Sequence, residues 1–500
     1  MIRNISWTVA DPQVRLENNV VTHTSGGLID RVDFHVEMDA DSFDRVYPAL
    51  RPVGDVGLVL FTDYLMLEDI ELSEIRASVP AGNLVAYSSY VSSGDGLVIP
   101  LESLSKHNSH YVYFGDKNML RTYQGLTLVS NAVTANPAID QLRKSIGPGA
   151  DWLGSFFDWD TAYQLFVIAT LNADSETTDW RGDVSDNGEI FLRFFGESWL
   201  RENPELETIV QRFLFHEMVH LENAVRFKRS EGQPAWLSEG LAEYLEILYA
   251  SLSGGAGNAE SFFKEVTTHS SQCLRVLEEK NIGISDQSIQ RGRYPYSCGV
   301  LVFWVIDGAP ISPGLATELG EAWSSMTGLL EDAGNEYGVH DLFSALNSSD
   351  KHDEAQLLRA LIRGPGSSVW QERDALFSSL GIDISYGYDG DWATAALTSL
   401  INHILRIHCG PGRIGFWTFD DHIQLDGDER CGSLSSYPRV DTVQGFKIFG
   451  EMRQLYQSAE RACRNDQPIE FGVFGSSEKL VADCPKPIVE VPRSIVLNAK

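Results

Sequence analysis

Two histidines four residues apart, with a glutamate directly after the first, stand in His216-Glu217-Met218-Val219-His220. On a helix this spacing sets both imidazoles on one face, one turn apart, so a nitrogen of each can reach one zinc ion at about 2.0–2.1 Å. Glu217 then lies beside the metal, where it can take a proton from an attacking water. A catalytic zinc also needs a third protein ligand and an open position. Glu239 is the candidate, because 18 residues separate it from His220, enough for the chain to reverse and lay a second helix alongside the first. Trp236 and Leu237 flank it, and an unpaired carboxylate among buried apolar side chains is costly.

The flanking residues predict the helices that must carry these groups. Asn203 is a favoured N-cap, Pro204 fits the first helical position, and Glu205 and Glu207 suit the positive end of the dipole. Ile209, Val210, Phe213, Leu214, Val219 and Leu221 form a broad apolar face, so this helix is expected to be largely buried. A second helix is expected from about Pro234, reading PAWLSEGLAEYLEILYA. Its apolar positions are Trp236, Leu237, Leu241, Leu245 and Leu248, while Glu239, Glu243 and Glu246 recur at i, i+4 and i+7.

HEMVH followed by WLSEGLAEY resembles the gluzincin zinc metallopeptidases, and among them the glycyl aminopeptidase and aminopeptidase N-like families. The metzincin arrangement is excluded, since it needs Gly and His where this chain has Asn223 and Arg226. The resemblance implies a single catalytic zinc held by His216, His220 and Glu239, Glu217 as general base, and Glu243 as the carboxylate that orients a ligand histidine. It also implies that Tyr296, in Tyr294-Pro-Tyr-Ser-Cys-Gly299 ahead of an apolar helix, hydrogen-bonds the developing oxyanion, with Tyr294 the alternative. The related enzymes carry Gly-x-Met-Glu-Asn about 30 residues before HExxH, whose Glu holds the substrate amine. Here Gly182-Asp-Val-Ser-Asp-Asn-Gly188 occupies that stretch, with Asp186 and Asn187 as substrate-binding stand-ins or as a plain turn. The strand that follows, Glu189 to Phe195, is expected at a sheet edge, where an extended peptide could pair with it. The activity implied is peptide hydrolysis, as an aminopeptidase. The alternatives are an endopeptidase with the same metal core and a non-catalytic peptide-binding protein that retains the zinc site.

Composition frames the rest. The chain has 500 residues, 43% hydrophobic and 22% charged, which is ordinary for a globular protein of several domains. With 39 basic against 70 acidic residues its formal charge is −31, which argues against nucleic acid or anionic membrane as partners. No apolar run reaches the ~18 residues of a membrane span. The expected partner is a peptide or protein substrate; oligomeric state is not legible. Period-2 runs such as Val32–Val36, Gly57–Phe61, Leu97–Pro100 and Tyr111–Phe114 predict a β-sandwich-like domain over 1–125. Helical periodicity over 126–395 predicts a mainly helical domain, which the resemblance would make the thermolysin-like catalytic domain. Short strands and a helix at Phe449 to Cys463 over 396–500 are consistent with a small α/β module, which the resemblance would make a degenerate PDZ-like domain. The fold class expected is therefore multidomain α+β. Four of the six cysteines, Cys409, Cys431, Cys463 and Cys484, fall in that module and could form two disulfides or remain four buried thiols. Cys273 and Cys298 are expected as core residues. The opening residues contain no signal-peptide pattern, so either a mature periplasmic or secreted chain, favoured by the cysteines, or a cytoplasmic one is expected.

Overall fold

The computed structural model describes, before residue 110, the strands and a few adjoining positions. From 110 onward it describes the chain except 124–125, 131–135, 160–164, 174–177, 254–257, 314–316, 331–334, 349–350, 389–390, 411–414, 420, 427–428, 436–437, 487–493 and 500. The architecture is mixed α+β, with a β-rich N-terminal region and a helical body. The chain divides into two compact units. One comprises 1–233, 237–256 and 314–349, the other 234–236, 257–313 and 350–500. No described helix is long and apolar enough to cross a membrane.

The first unit contains a four-stranded antiparallel sheet in the order Leu50–Val53, Gly57–Phe61, Tyr111–Asp116, Leu84–Tyr87. Its inward residues Val53, Val59, Tyr111 and Tyr113 share a core with Val129, Phe166, Ile168 and Phe191 of a second, five-stranded sheet. That second sheet runs Leu120–Tyr123, Leu126–Ser130, Phe166–Asn172, Glu189–Phe195, Asp179–Arg181, with its two inner pairings parallel. Central parallel strands are covered on both faces, which is why FVIAT and EIFLRFF are buried along their length. The expectation that Glu189–Phe195 forms the sheet edge is corrected here: Asp179–Arg181 pairs outside it, and Val184 bridges to Ile190. The edge segment is thus the one leading through Gly182.

The long helix Pro137–Phe157 connects the parallel strands Leu126–Ser130 and Phe166–Asn172, with Asn136 capping its first turn by accepting from the Ile139 N–H. It packs on the helix Pro204–His220, and Gly149 is where it comes against Phe215 and Met218. The HExxH helix begins as its sequence predicts, with the Asn203 side chain accepting from the Glu205 N–H and Pro204 in the first turn.

In the second unit, helices Asn258–Lys280 and Tyr294–Ile306 are joined by a disulfide between Cys273 and Cys298. The two cysteines are fully buried, as expected of core residues, but their Cα atoms lie 4.8 Å apart and they are bonded rather than free. The four C-terminal cysteines pair as Cys409–Cys431 and Cys463–Cys484. Both of those disulfides stand in the core between a six-stranded sheet and helices Asp391–Cys409 and Met452–Arg464. A small module gains most from such cross-links, because its own apolar core is limited.

Candidate metal centre

The helix Pro204–His220 brings His216 and His220 to one face, their ring centroids 5.1 Å apart. The partner helix Trp236–Ser253 runs antiparallel beside it, and three contacts hold the alignment. Arg212 donates to Glu246 at 2.6 Å, Phe215 stacks on Tyr249 at 4.1 Å, and Trp152 meets both rings edge-on. Aromatic packing on one side of the pair fixes which side of the second helix meets the histidines. Glu239 is the residue so placed. Its Oε2 lies 3.5 Å from His216 Nε2 and 3.5 Å from His220 Nε2.

That spacing tests whether the residues fit a metal. Donors arranged tetrahedrally at about 2.0–2.1 Å from one centre are roughly 3.4 Å from each other. Two of the three separations match, and all three donor atoms lie within 4.8 Å of one another. With protein groups alone, the cluster also has the electrostatics of a cation site. Burial would depress the His216 and His220 imidazoles, but the surrounding carboxylates, Glu239 foremost, push both above the usual range. Burial would raise Glu239, yet the two imidazoles hold its carboxyl far below the usual carboxylate range. The donor set fits zinc.

The other nitrogen of each histidine is held in place as well. His216 Nδ1 donates to Glu246 Oε2 at 3.2 Å, and Glu243 Oε2 stands 3.4 Å away. The sequence reading gave this role to Glu243; Glu246, a further turn along and anchored by Arg212, makes the nearer contact. The i, i+4, i+7 recurrence was the signal for it. His220 Nδ1 donates to Asn223 Oδ1 at 2.9 Å, and Asn223 Nδ2 donates to the Ser238 carbonyl at 2.8 Å. A turn of π-helix over Leu221–Arg226 makes this reach available, and it turns buried Glu222 toward the indole N–H groups of Trp159 and Trp323. Partners of this kind fix the tautomer of a metal-ligating histidine. Glu246→Gln is therefore expected to weaken zinc affinity by about 10–100-fold, more than Glu243→Gln does, read by competition with a chromogenic chelator.

Glu217 is buried, 7% exposed. Burial, with smaller contributions from the Glu239 and Asp183 carboxylates, pushes its carboxyl up to about 7. Gly182 passes directly against it. A Cβ at Gly182 would collide with the Glu217 carboxylate and come within 2.6 Å of Phe213 Cζ. Gly182→Ala is expected to displace Glu217 and lower kcat/KM by about 10²-fold with zinc content unchanged.

The neighbouring residues differ from expectation. Asp186 and Asn187 sit in a tight turn, closed by Gly188 N–H to the Ser185 carbonyl and Ser185 N–H to the Glu189 carbonyl. Ser185 Oγ donates to the buried Glu189 carboxylate, which also accepts from His110 Nδ1 at 2.9 Å. The carboxylate that adjoins the metal site is instead Asp183. It accepts from the Tyr111 hydroxyl, and it interacts electrostatically with Arg193, His220 and Glu217. Burial raises its carboxyl above the usual range. Tyr296 belongs to the second unit, half-buried in the first turn of Tyr294–Ile306, while the Tyr294 ring lies under the Lys280 ammonium at 5.4 Å.

No protein family model and no curated protein sequence matches this chain. Solved structures do. An aminopeptidase N family protein from Idiomarina loihiensis superposes with a TM-score of 0.53 at 12% identity, over 89% of this chain and 81% of that one. An M1 zinc metallopeptidase from Deinococcus radiodurans, bound to a Tyr-Ser-Ala substrate, aligns with a TM-score of 0.38 at 15% identity, over 58% of this chain and 63% of that one. Yeast LTA4 hydrolase aligns with a TM-score of 0.39 at 12% identity, over 80% of this chain and 63% of the enzyme. The chain thus spans under two thirds of the latter two. In fold, the chain resembles the aminopeptidase N-like gluzincin metallopeptidases.

Proposed function

We propose that this protein is a zinc-dependent peptidase that removes residues from the amino ends of peptides. The observation that carries the reading is the convergence of His216, His220 and Glu239 on one point, with Glu217 buried beside it. A zinc ion bound there would polarise the scissile carbonyl and acidify a water molecule. Glu217 takes the proton from the attacking water and delivers it to the leaving nitrogen; a carboxyl poised near neutrality suits both transfers. Glu246, Glu243 and Asn223 hold the histidines in their orientations. Tyr296 donates its phenol to the oxyanion, a role that rests on its place at the head of the apolar helix. The disulfides fit an oxidising compartment. The C-terminal module keeps its reading as a degenerate PDZ-like domain on the order of its strands and helices.

For the substrate amine, Asp183 replaces Asp186 and Asn187 as the assigned partner. It lies one residue from Gly182, interacts electrostatically with Glu217, His220 and Arg193, and accepts from the Tyr111 hydroxyl and the Val184 N–H. A largely buried carboxylate is a fitting acceptor for an ammonium group. The test is a defined peptide mixture, digested by the zinc-loaded protein and read by mass spectrometry. Stepwise shortening from the amino end is expected, and Asp183→Asn is expected to raise KM for free-amine peptides at least tenfold, with Asp186→Asn close to wild type. Internal cuts that also appear on N-acetylated peptides would overturn the aminopeptidase reading and leave an endopeptidase.

A further inference from the structure

The C-terminal unit contains a cavity of about 420 Å³ lined by Ser399, Asn402, His403, Arg406, Ile407 and Lys486. Four of these, Ser399, Asn402, His403 and Arg406, fall at i, i+3, i+4 and i+7 of the helix Asp391–Cys409 and so form one stripe. The opposite stripe, Leu397, Ile401, Ile404 and Leu405, is buried in the module core. The polar stripe is therefore the helix face turned from the core, and Lys486 closes over it from the chain segment that follows Cys484.

That segment is held at several points. Cys484 is bonded to Cys463, the Asp483 N–H donates to His408 Nδ1 at 3.1 Å, and His403 Nε2 donates to the Lys486 carbonyl at 3.0 Å. Two histidines of the helix are thus spent on positioning Lys486 beside Arg406. Among the described residues neither cation has a hydrogen-bond or ion-pair partner, and no carboxylate lines the cavity. Asp483, the nearest acid along the chain, stands 3.9 Å from His408. In a chain with 70 acidic and 39 basic residues, this wall reverses the overall charge. The helix C-terminal dipole favours a cation at Arg406, but it accounts for neither Lys486 nor the cavity.

We propose that this cavity binds a small amphipathic carboxylate. The wall is mostly carbon, and it takes the apolar body of the ligand. The guanidinium of Arg406 and the ammonium of Lys486 take the carboxylate, with Ser399 and Asn402 as hydrogen-bonding neighbours. The site is independent of the zinc centre and of the peptidase reading.

Calorimetric titration of the full chain with N-acetyl-phenylalanine at low salt tests it, because this probe has the carboxylate and an apolar body but no free amine. Saturable binding is expected, weakened about tenfold in Arg406→Ala and about tenfold in Lys486→Ala, and retained in His216→Ala. Both cations are exposed, so thermal melts of the variants should match wild type, and peptide turnover should be unchanged. Equal affinity in wild type and the Arg406→Ala, Lys486→Ala double variant would overturn the proposal. So would loss of binding in His216→Ala, which places the probe at the zinc centre, or no saturable binding at millimolar concentration. Tighter binding of inorganic phosphate than of the probe would overturn the amphipathic assignment.

Discussion

Glu217→Gln is expected to lower peptide turnover by roughly 10²–10⁴-fold while zinc content and fold stay as in wild type. The amide has the shape of the carboxyl but cannot accept and release a proton, so the substitution isolates proton transfer from metal binding. Nothing in the proposed donor set, His216, His220 and Glu239, is touched. Steady-state kinetics beside metal analysis by mass spectrometry checks this, and turnover at the wild-type rate would remove Glu217 from the reaction. The same substitution should stabilise the metal-free protein at alkaline pH. Burial raises the folded-state carboxyl from its ordinary value of 4.5 to about 7. The folded state therefore binds the proton more tightly than the unfolded chain, and stability is lost as pH rises from the unfolded value through the folded one. Gln has no such loss, so its melting temperature at pH 8, in chelator, should exceed that of wild type.

Glu239→Ala is expected to cost more than the 10–100-fold typical of outer partners in zinc affinity, and to abolish turnover at ordinary zinc concentrations. Among the described residues Glu239 is the one carboxylate facing both Nε2 atoms, 3.5 Å from each, and two histidines alone would leave a metal half-bound. Without its charge the imidazoles also lose the principal group that raises them, so His216 and His220 should titrate lower in the metal-free variant, as followed by NMR. Zinc retained through dialysis against a weak chelator at the wild-type level would exclude Glu239 as a ligand. Glu243→Ala makes a useful companion, because it removes a carboxylate of the same helix while leaving the three donors in place.

The features legible in the sequence are those set by helix geometry. HEMVH and the Glu239, Glu243, Glu246 recurrence fall on helices, and residues three and four apart share a helix face wherever the helix lies. The Asn203-Pro204 start is legible for the same reason, since a cap is built from neighbours in the chain. Periodicity likewise anticipates the mixed architecture, while cysteine clustering leaves two disulfides or four buried thiols, of which the structure has the disulfides.

Only the tertiary structure decides the remainder. Glu246 rather than Glu243 makes the closer contact to His216 because Arg212 and the Phe215–Tyr249 stack set the rotation of one helix against the other. Cys273 and Cys298 bond because two helices happen to cross there, which no spacing along the chain announces. Asp183 interacts electrostatically with Glu217 and His220 while Asp186 sits in a turn, because Asp179–Arg181 pairs at the sheet edge and carries Gly182 against Glu217. Local periodicity determines which side chains share a face; which faces meet depends on packing between segments far apart in the chain, and that information is spread over the whole core.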